Sequence, residues 1–223
     1  MRGQPGTESN ESKVTLGMTK QTARTTVAGI ILAAGRSSRM GRIKQLLPFR
    51  SKTILDAVLN SVRASRLKPV VLVLGHAAER IRRTVEVCQV RVTVNGDYNQ
   101  GQSTSLKAGL AAIPVDVDAA MFILGDQPLI SPQMIDRLVA EHEKCRAPLV
   151  IPVVEGKRGN PVIIGRALFP AIRTLNGDTG ARVLFDRFAD QIRTVSIHDP
   201  AIHFDIDYWE DYQRLKQMDL FRV

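Results

Sequence analysis

The stretch "GIILAAGRSSRMGRIKQLLPF", residues 29–49, joins an apolar run to a loop that is rich in positive charge. The continuous aliphatic segment before Gly35 is typical of a strand that is buried on both faces of a sheet. Four basic side chains follow that glycine: Arg36, Arg39, Arg42 and Lys44. A strand that runs into a basic, glycine-containing loop predicts a site for phosphate, because open backbone N–H groups and basic side chains both attract anions.

The spacing of the glycines excludes two common phosphate loops. A Walker A loop has four residues between its first glycine and a Gly-Lys-Ser/Thr sequence. Here five residues separate Gly35 from Gly41, and Arg42 follows in place of lysine. The dinucleotide pattern G-x-G-x-x-G is absent as well. The loop therefore belongs to neither a P-loop ATPase nor a Rossmann dehydrogenase.

Strand-like and helix-like segments alternate from Val27 onward. The apolar patterns predict strands at 27–33, 69–75, 90–95 and 118–126, and helices at 53–65, 77–86, 103–113 and 131–144. Ser103 and Ser131 are the expected caps of the last two helices. The alternation predicts an α/β fold with a mostly parallel, Rossmann-like sheet and helices on both faces. Ligands of such a sheet bind at the carboxyl ends of its strands, where the basic loop lies.

The pattern is looser after residue 145. Two strands joined by 155–158, a loop and helix within 177–190, a strand at 192–197 and a closing helix at 208–218 are expected. We predict one domain over 27–223, with a nucleotide half at about 27–145 and an acceptor half at about 146–204. Residues 1–26 are polar and lack periodicity, which predicts a disordered tail.

The composition limits the classes of partner. The chain has 223 residues and a net charge of +9, yet its basic residues are spread out and aromatic residues make up only 5%. This distribution favours a basic surface with a site for small polyanions over nucleic-acid binding. The two cysteines are far apart and fit no metal spacing, so we expect reduced thiols in the cytoplasm. No apolar run approaches the length that spans a membrane.

The pattern L-A-A-G-x-S-x-R-M-G-x-x-K at 32–44 resembles the signature of the MobA-like nucleotidyltransferases, a branch of the nucleotide-diphospho transferase fold. Further motifs agree with that family in order: GQSTSL at 101–106, LGDQP at 124–128, RGNPV at 158–162, GDTGAR at 177–182 and DIDYWEDY at 205–212. Within the family the chain is most similar to the cytidylyltransferases of the molybdenum cofactor. Guanylyl-transferring relatives usually carry L-A-G-G, where this chain has Ala34 before Gly35.

The resemblance implies an enzyme that moves CMP from CTP to the phosphate of molybdenum-loaded molybdopterin and releases pyrophosphate. Such a transfer requires positioning and charge neutralisation more than covalent chemistry. Mg²⁺ held by one or two carboxylates and by phosphate oxygens is the usual cofactor. The implied catalytic residues are Arg39, Lys44 and Asp126, with the two basic groups on the phosphates.

The resemblance also implies the nucleotide-binding set. It comprises Leu32, Ala33, Ala34, Gly35, Arg39, Lys44, Gly75, Gly101, Gln102, Ser103 and Asp126. The two alanines leave room for a flat base, and Gln102 and Ser103 offer polar edges to it. The alternative role of Gln102 and Ser103 is to cap a helix, which is compatible with base binding.

Three aspartates are the candidate metal ligands. Asp126 ends a predicted strand at the ligand edge, although an aspartate after glycine also commonly forms a turn. Asp207 matches the second metal position of the family, and Asp205 lies two residues before it, on the same face if the segment is a strand. The alternative is that either Asp205 or Asp207 caps the final helix.

The acceptor side is implied by two motifs. Their candidate residues are Arg158, Gly159, Asn160, Pro161, Asp178, Gly180 and Arg182. The arginines are candidates for binding a terminal phosphate of the acceptor, and the alternative is that they are solvated surface charge.

Other functions stay open at this point. The same fold can serve a sugar-phosphate or polyol-phosphate acceptor, or the protein can bind and deliver the molybdenum cofactor without turnover. The presence of Lys44, Asp126 and Asp207 argues against the non-catalytic alternative, since a pure binder does not need them. The sequence leaves the oligomeric state open, and also whether a molybdoenzyme is the client.

Overall fold

The central strand β1 (Val27–Ala33) is buried along nearly its whole length, as its aliphatic sequence predicts. It lies between β4 (Val70–Leu74) and β6 (Ala119–Leu124), and both neighbours run parallel to it. This computed structural model describes residues 25–220. Because these three strands are parallel, the loops that follow them meet at one edge of the sheet.

The remaining strands extend the sheet to both sides. They are β2 (Pro48–Phe49), β3 (Lys52–Thr53), β5 (Arg91–Val94), β7 (Leu149–Val154), β8 (Lys157–Arg158), β9 (Val162–Gly165) and β10 (Ile192–Ser196). Within residues 25–220 the main sheet has eight strands in the order β10-β7-β9-β6-β1-β4-β5, with β8 paired to β7. β9 is antiparallel to β6 and β7, whereas β10 is parallel to β7. β2 and β3 form a separate short hairpin.

The helices pack on both faces of this sheet. They are α1 (Ile54–Arg63), α2 (Ala78–Thr84), α3 (Gln102–Ala112), α4 (Pro132–Cys145), α5 (Phe169–Arg173), α6 (Val183–Arg187) and α7 (Trp209–Leu220). Thr53 and Asp56 form a capping box at the start of α1, and Ser131 caps α4 with a proline in its first turn. Within the described residues, no helix is both long enough and apolar enough to cross a lipid bilayer.

The alternation of side chains along the strands divides the core into two layers. Ile31, Leu72 and Met121 pack with α1 and α4 on one face. Ile30, Val71 and Phe122 pack with α3, α5 and α6 on the other face. Successive strand residues point to opposite faces, so a continuous apolar run serves both layers at once. The predicted α/β fold with a mostly parallel sheet is confirmed.

Some local predictions were wrong. Ser103 does not cap α3, because the helix begins at Gln102 and the Ser103 hydroxyl donates to Gly177 O at 2.8 Å. The predicted tail, residues 1–26, extends two residues too far along the chain. Thr25 is buried, and Thr26 N donates to Asp118 Oδ2 at 2.8 Å. The rest of that predicted tail, residues 1–24, lies outside the described residues. The division into nucleotide and acceptor halves stays a prediction.

Candidate active site

Four side chains that are far apart in sequence meet at the carboxyl edge of the sheet. Lys44 Nζ lies 2.5 Å from Asp126 Oδ2 and 2.9 Å from Asp207 Oδ1. Arg39 Nη1 lies 3.2 Å from Asp207 Oδ2. The structure therefore brings together Arg39, Lys44, Asp126 and Asp207, all of which the sequence predicted as catalytic or metal-binding residues.

The basic side chains reach this point from the signature loop, residues 35–44. Ser37 adopts a left-handed backbone with φ 55°, and its hydroxyl accepts a hydrogen bond from Lys44 N at 3.3 Å. Gly41 also has a positive φ of 63°, a conformation that costs glycine little. These two turns fold the loop back on itself. The start of the short helical turn Lys44–Leu46 is thereby held beside the end of β1.

The two aspartates are positioned by backbone hydrogen bonds. Asp126 follows β6 in a tight turn, and its carbonyl oxygen accepts from Ile206 N at 3.2 Å. This bond fixes the segment that carries Asp207 beside the turn. The Asp211 carboxylate accepts from Asp207 N at 3.1 Å and from Tyr208 N at 2.9 Å, which caps α7. The capping alternative for Asp205 or Asp207 is therefore wrong, because Asp211 performs that role.

The charges of the cluster shift two pKa values. Burial lowers the pKa of Lys44, but ion pairs with Asp126 and Asp207 outweigh that effect, so the net pKa is raised. Burial also has the largest effect on the pKa of Asp205. Together with the nearby Asp126 charge, burial raises the pKa of that carboxyl to about 6. Lys44 is thus held in its charged form.

The carboxylates of Asp126 and Asp207 fit a divalent cation that is shared with a phosphate. Asp126 Oδ1 is buried and has no hydrogen-bond partner within residues 25–220. An unpartnered carboxylate oxygen in a buried position is costly unless a cation or donor completes it. Magnesium commonly takes one or two carboxylates and completes its shell with water and substrate phosphates.

One oxygen of Asp205 is engaged within the protein. Its Oδ1 accepts a hydrogen bond from Gln127 Nε2, and Gln127 is fully buried. Across residues 25–220 there is no cluster of three or more histidine, cysteine, aspartate or glutamate side chains that could hold a metal. Asp205 lines the same cavity as Asp126 and Asp207, and its role as a metal ligand stays a prediction.

A cavity of about 320 Å³, the inner cavity, opens beside the cluster. Its walls include many predicted residues: Leu32, Ala34, Gly35, Lys44, Gly101, Gln102, Asp126, Asp178, Asp205 and Asp207. A Cβ added to Gly35 would meet no protein atom within 4 Å. The backbone at Gly35 is therefore open to a ligand in this cavity.

Four predicted nucleotide-binding residues do not line the inner cavity: Ala33, Arg39, Gly75 and Ser103. The Arg39 side chain is exposed and pairs with Asp207 outside that lining. Ala33 points into the core, because it alternates with Ala34 along β1. Gly75 allows close packing, since a Cβ there would lie 2.8 Å from Ala34 Cβ. Ser103 is fully buried against the Gly177 carbonyl.

Four further residues line the inner cavity and were not predicted from the sequence: Gln45, Tyr98, Ser105 and Leu124. Ser105 is held by a hydrogen bond of 3.0 Å from Asn95 Nδ2. It lies within the GQSTSL motif, so helical spacing from Gln102 was the signal that could have found it. Tyr98 begins the short 3₁₀ turn Tyr98–Gln100 and carried no such signal.

A second cavity of about 360 Å³, the side cavity, adjoins the inner cavity and shares Leu32, Gln102, Leu124 and Asp178 with it. Leu106, Phe122, Val162 and Phe185 form its apolar wall, and the predicted acceptor residues Asn160, Gly180 and Arg182 complete it. Arg158, Gly159 and Pro161 are outside its lining. The Arg158 guanidinium lies 6.0 Å from the Phe185 ring centre, and a Cβ at Gly159 would lie 2.7 Å from Ile202.

The two cavities are joined where the loop before α6 docks on the start of α3. A Cβ at Gly101 would lie 2.2 Å from the Gly177 carbonyl carbon, so only glycine permits this contact. Gln102 N donates to Asp178 Oδ1 at 3.3 Å, and Ser103 N donates to Gly177 O at 3.3 Å. These hydrogen bonds satisfy N–H groups at the beginning of α3 that the helix itself leaves unpaired.

A family model for the MobA-like NTP transferase domain matches residues 29–193. The chain belongs to this family. The predicted family and the predicted enzyme class, a nucleotidyltransferase, are thereby confirmed. The matched span includes Arg39, Lys44 and Asp126 and ends before Asp207.

The relatives of this MobA-like chain carry different names. Nicotine blue oxidoreductase from Paenarthrobacter nicotinovorans is 32% identical over 201 residues, which cover 85% of this chain and 96% of that protein. Molybdenum cofactor cytidylyltransferase from Escherichia coli is 29% identical over 194 residues, which cover 84% of this chain and 94% of that protein. The crystal structure of Rv0371c from Mycobacterium tuberculosis has a TM-score of 0.79 at 29% identity and covers 87% of this chain and 100% of its own. Rv0371c has also been solved in complex with manganese, with a TM-score of 0.76 at 29% identity over 86% of this chain and 99% of its own.

Proposed function

We propose that this protein transfers CMP from CTP to the phosphate of molybdenum-loaded molybdopterin and releases pyrophosphate. The observation that carries the proposal is the convergence of Lys44, Asp126 and Asp207 at one point beside the inner cavity. A lysine between two carboxylates, next to an open glycine backbone, is suited to holding a polyphosphate and its cation. The name of the Escherichia coli relative supports the choice of nucleotide and acceptor.

In the proposed reaction an oxygen of the acceptor phosphate attacks the α-phosphorus of CTP. A new P–O bond forms there, the bond to the bridging oxygen of the β-phosphate breaks, and pyrophosphate leaves with the electron pair. Lys44 and Arg39 bind phosphate oxygens and offset the charge that develops during the attack. Asp126 and Asp207 would hold Mg²⁺, which supplies further charge neutralisation and orientation.

Base selection is assigned to the wall formed by Ala34, Gln102 and Ser105. The Ala34 side chain lines the inner cavity and occupies volume that a glycine would leave empty. The Gln102 amide and the Ser105 hydroxyl can bond the polar edge of a pyrimidine. These features support a pyrimidine such as cytosine over the larger guanine.

Acceptor binding is assigned to the side cavity. Its wall contains Phe122 and Phe185, which suit a flat ring system, and Arg182 offers a forked donor for a phosphate. The side cavity opens beside Asp126 through the wall it shares with the inner cavity, so an acceptor phosphate can reach the α-phosphorus. A flat acceptor with a terminal phosphate matches both features.

The test is an assay of pyrophosphate release. The protein is incubated with Mg²⁺, each nucleoside triphosphate in turn, and molybdenum-loaded molybdopterin or a sugar phosphate. We expect release only with CTP and the molybdopterin acceptor. Release with a sugar or polyol phosphate would instead support the alternative acceptor class, and tight cofactor binding without release would support a delivery protein.

An oxidoreductase activity is the second candidate, and the name of the Paenarthrobacter relative is the observation that favours it. The same protein preparation is therefore tested for oxidation of NADH and NADPH with a flat heteroaromatic electron acceptor. If nicotinamide oxidation depends on the protein while no nucleotide is transferred, the oxidoreductase candidate replaces the transferase proposal.

A further inference from the structure

Two basic residues of the signature loop line a second cavity, and neither Asp126 nor Asp207 belongs to its lining. Arg36 and Arg42 of the loop line a separate cavity, the outer cavity, together with His76 and with Arg80 of α2. This cavity has a volume of about 350 Å³, comparable to that of the inner cavity. The four basic residues of the loop are thus divided, with Arg39 and Lys44 on the inner face and Arg36 and Arg42 on the outer face.

The charges of the outer cavity are not compensated by carboxylates. No aspartate or glutamate belongs to its lining. Among residues 25–220, Arg36, Arg42 and Arg80 form no ion pair, in contrast to Arg39 and Lys44. Three guanidinium groups around one cavity repel each other, and an anion between them would relieve that repulsion.

The arginines of the signature loop contact aromatic rings instead. The Arg36 guanidinium carbon lies 5.8 Å from the Tyr98 ring centre, and that of Arg42 lies 5.2 Å from the Trp209 ring centre. Such contacts keep an arginine near a surface while leaving its N–H donors available for a ligand. The outer cavity is therefore lined by arginines whose charges are met by aromatic rings and not by carboxylates.

The outer cavity is distinct from the inner cavity. The two cavities share no lining residue, and the signature loop lies between them, with Gly35 on the inner side and Arg36 on the outer side. Tyr98 lines the inner cavity and contacts both Arg36 and His76, whose ring lies 6.0 Å from its own. An anion in the outer cavity would thus lie beside Arg36 and His76, both of which contact Tyr98 in the wall of the inner cavity.

We propose that the outer cavity is a second anion site, which binds a free phosphate-type anion such as inorganic pyrophosphate behind the signature loop. Guanidinium groups match phosphate oxygens in geometry as well as in charge, and several donors converge here. The site lies outside the inner cavity and does not depend on the proposed acceptor; only the CTP analogue that blocks the inner cavity in the test rests on the proposed function. The shared chemistry is a phosphate group, which free pyrophosphate or the tail of a bound nucleotide can supply.

The only tryptophan of the chain reports on this site. Trp209 is the sole tryptophan in the sequence, and Arg42 lies over its ring. An anion that draws the Arg42 guanidinium away from the ring changes the environment of the indole. Pyrophosphate binding in the outer cavity is therefore expected to change tryptophan fluorescence without any turnover.

The experiment titrates inorganic pyrophosphate into the full chain that has been saturated with the α,β-methylene analogue of CTP, which blocks the inner cavity. Fluorescence and isothermal titration calorimetry are recorded together. We expect one pyrophosphate to bind per chain in the presence of the analogue. Arg80→Gln should weaken this binding about tenfold, because it removes a charged donor to phosphate.

The matched control is Arg83→Gln, which changes the same charge on the same short helix outside the cavity. It should leave the affinity for pyrophosphate unchanged, and Arg42→Gln provides a second variant if Arg80→Gln folds poorly. Equal affinities of the Arg80 and Arg83 variants would overturn the proposal. Loss of pyrophosphate binding under the analogue, with weaker analogue binding by Arg80→Gln, would show that the nucleotide tail fills the cavity and would also overturn it.

Discussion

The inner cavity and the side cavity lie next to each other but are built in different ways. The inner cavity is formed at the ends of the parallel strands β1 and β6, and its wall carries Lys44 and four aspartates. The side cavity lies over the antiparallel strand β9 and the short helix α6, and apolar side chains dominate its wall. A rigid, charged site suits chemistry on a polyphosphate, whereas an apolar site on short elements suits the choice of acceptor.

The strongest test of these separate roles is to remove the charge of Asp126. We expect Asp126→Asn to lower kcat for nucleotide transfer by about 10²–10³-fold, because the carboxylate would hold the cation at the reacting phosphate. Pyrophosphate release at saturating Mg²⁺ is the measurement. Asp116→Asn, at an exposed loop position, is the control and should keep full activity. Near wild-type turnover of Asp126→Asn would contradict the role of the inner cavity.

A second prediction concerns the side cavity. Arg182→Ala should raise KM for the acceptor about tenfold and leave KM for the nucleotide unchanged. The variant loses one charged contact to the acceptor phosphate and none to the nucleotide. Steady-state kinetics with each substrate varied in turn measure this effect. Arg187→Ala, in the helix α6 that follows Arg182 but outside the cavity, should change neither constant. If both KM values rose together, the two cavities would not have separate roles.

The third prediction tests the buried acid of the inner cavity. Burial raises the pKa of Asp205 to about 6, so the folded protein holds this proton more tightly than the unfolded chain, whose carboxyl has a pKa of about 4. Stability therefore falls as pH rises from about 4 to 6, and the loss persists above that range. Asp205→Asn should be more stable by roughly 1–2 kcal/mol at pH 8 and equally stable near pH 4.

Urea unfolding of both proteins in EDTA at pH 4, 6 and 8 measures this difference. The asparagine can still accept the hydrogen bond from Gln127, so the packing is preserved. A variant that is destabilised at pH 8 would mean that the charged carboxylate is stabilised in the fold, and the burial argument would be wrong.

The smallest expected effect is at the entrance to the inner cavity. The Arg39 guanidinium carbon lies 5.6 Å from the ring centre of Tyr208, which is exposed. Tyr208→Ala should raise KM for the nucleotide about two- to fivefold, since an exposed cation–π contact contributes about 0.5–1 kcal/mol. Tyr208→Phe keeps the ring and should behave like the wild type. An unchanged KM in Tyr208→Ala would show that Tyr208 does not contribute to nucleotide binding.

The same division explains what the sequence could predict. The strands around β1, the loop with Lys44 and the turn with Asp126 were predictable, because parallel strands send their following loops to one edge. Asp207 was predicted only from the resemblance to the family. The docking of Gly177 on Gly101 was not, because it depends on the close approach of two backbones that no periodicity records. Ser103 was misassigned for the same reason, since its hydroxyl serves that contact. The antiparallel pairing of β9 was missed because short apolar runs carry no direction.

The central claim is that CMP moves to an acceptor phosphate at the Lys44–Asp126–Asp207 cluster. The most direct measurement is a single turnover with CTP labelled at the α-phosphate, in the presence of Mg²⁺ and molybdenum-loaded molybdopterin. The account predicts that the label appears in the acceptor in equal amount to the pyrophosphate released, and that Asp126→Asn slows both by about 10²–10³-fold. Label that stays in CTP or is released as free CMP, with no labelled acceptor, would contradict the account.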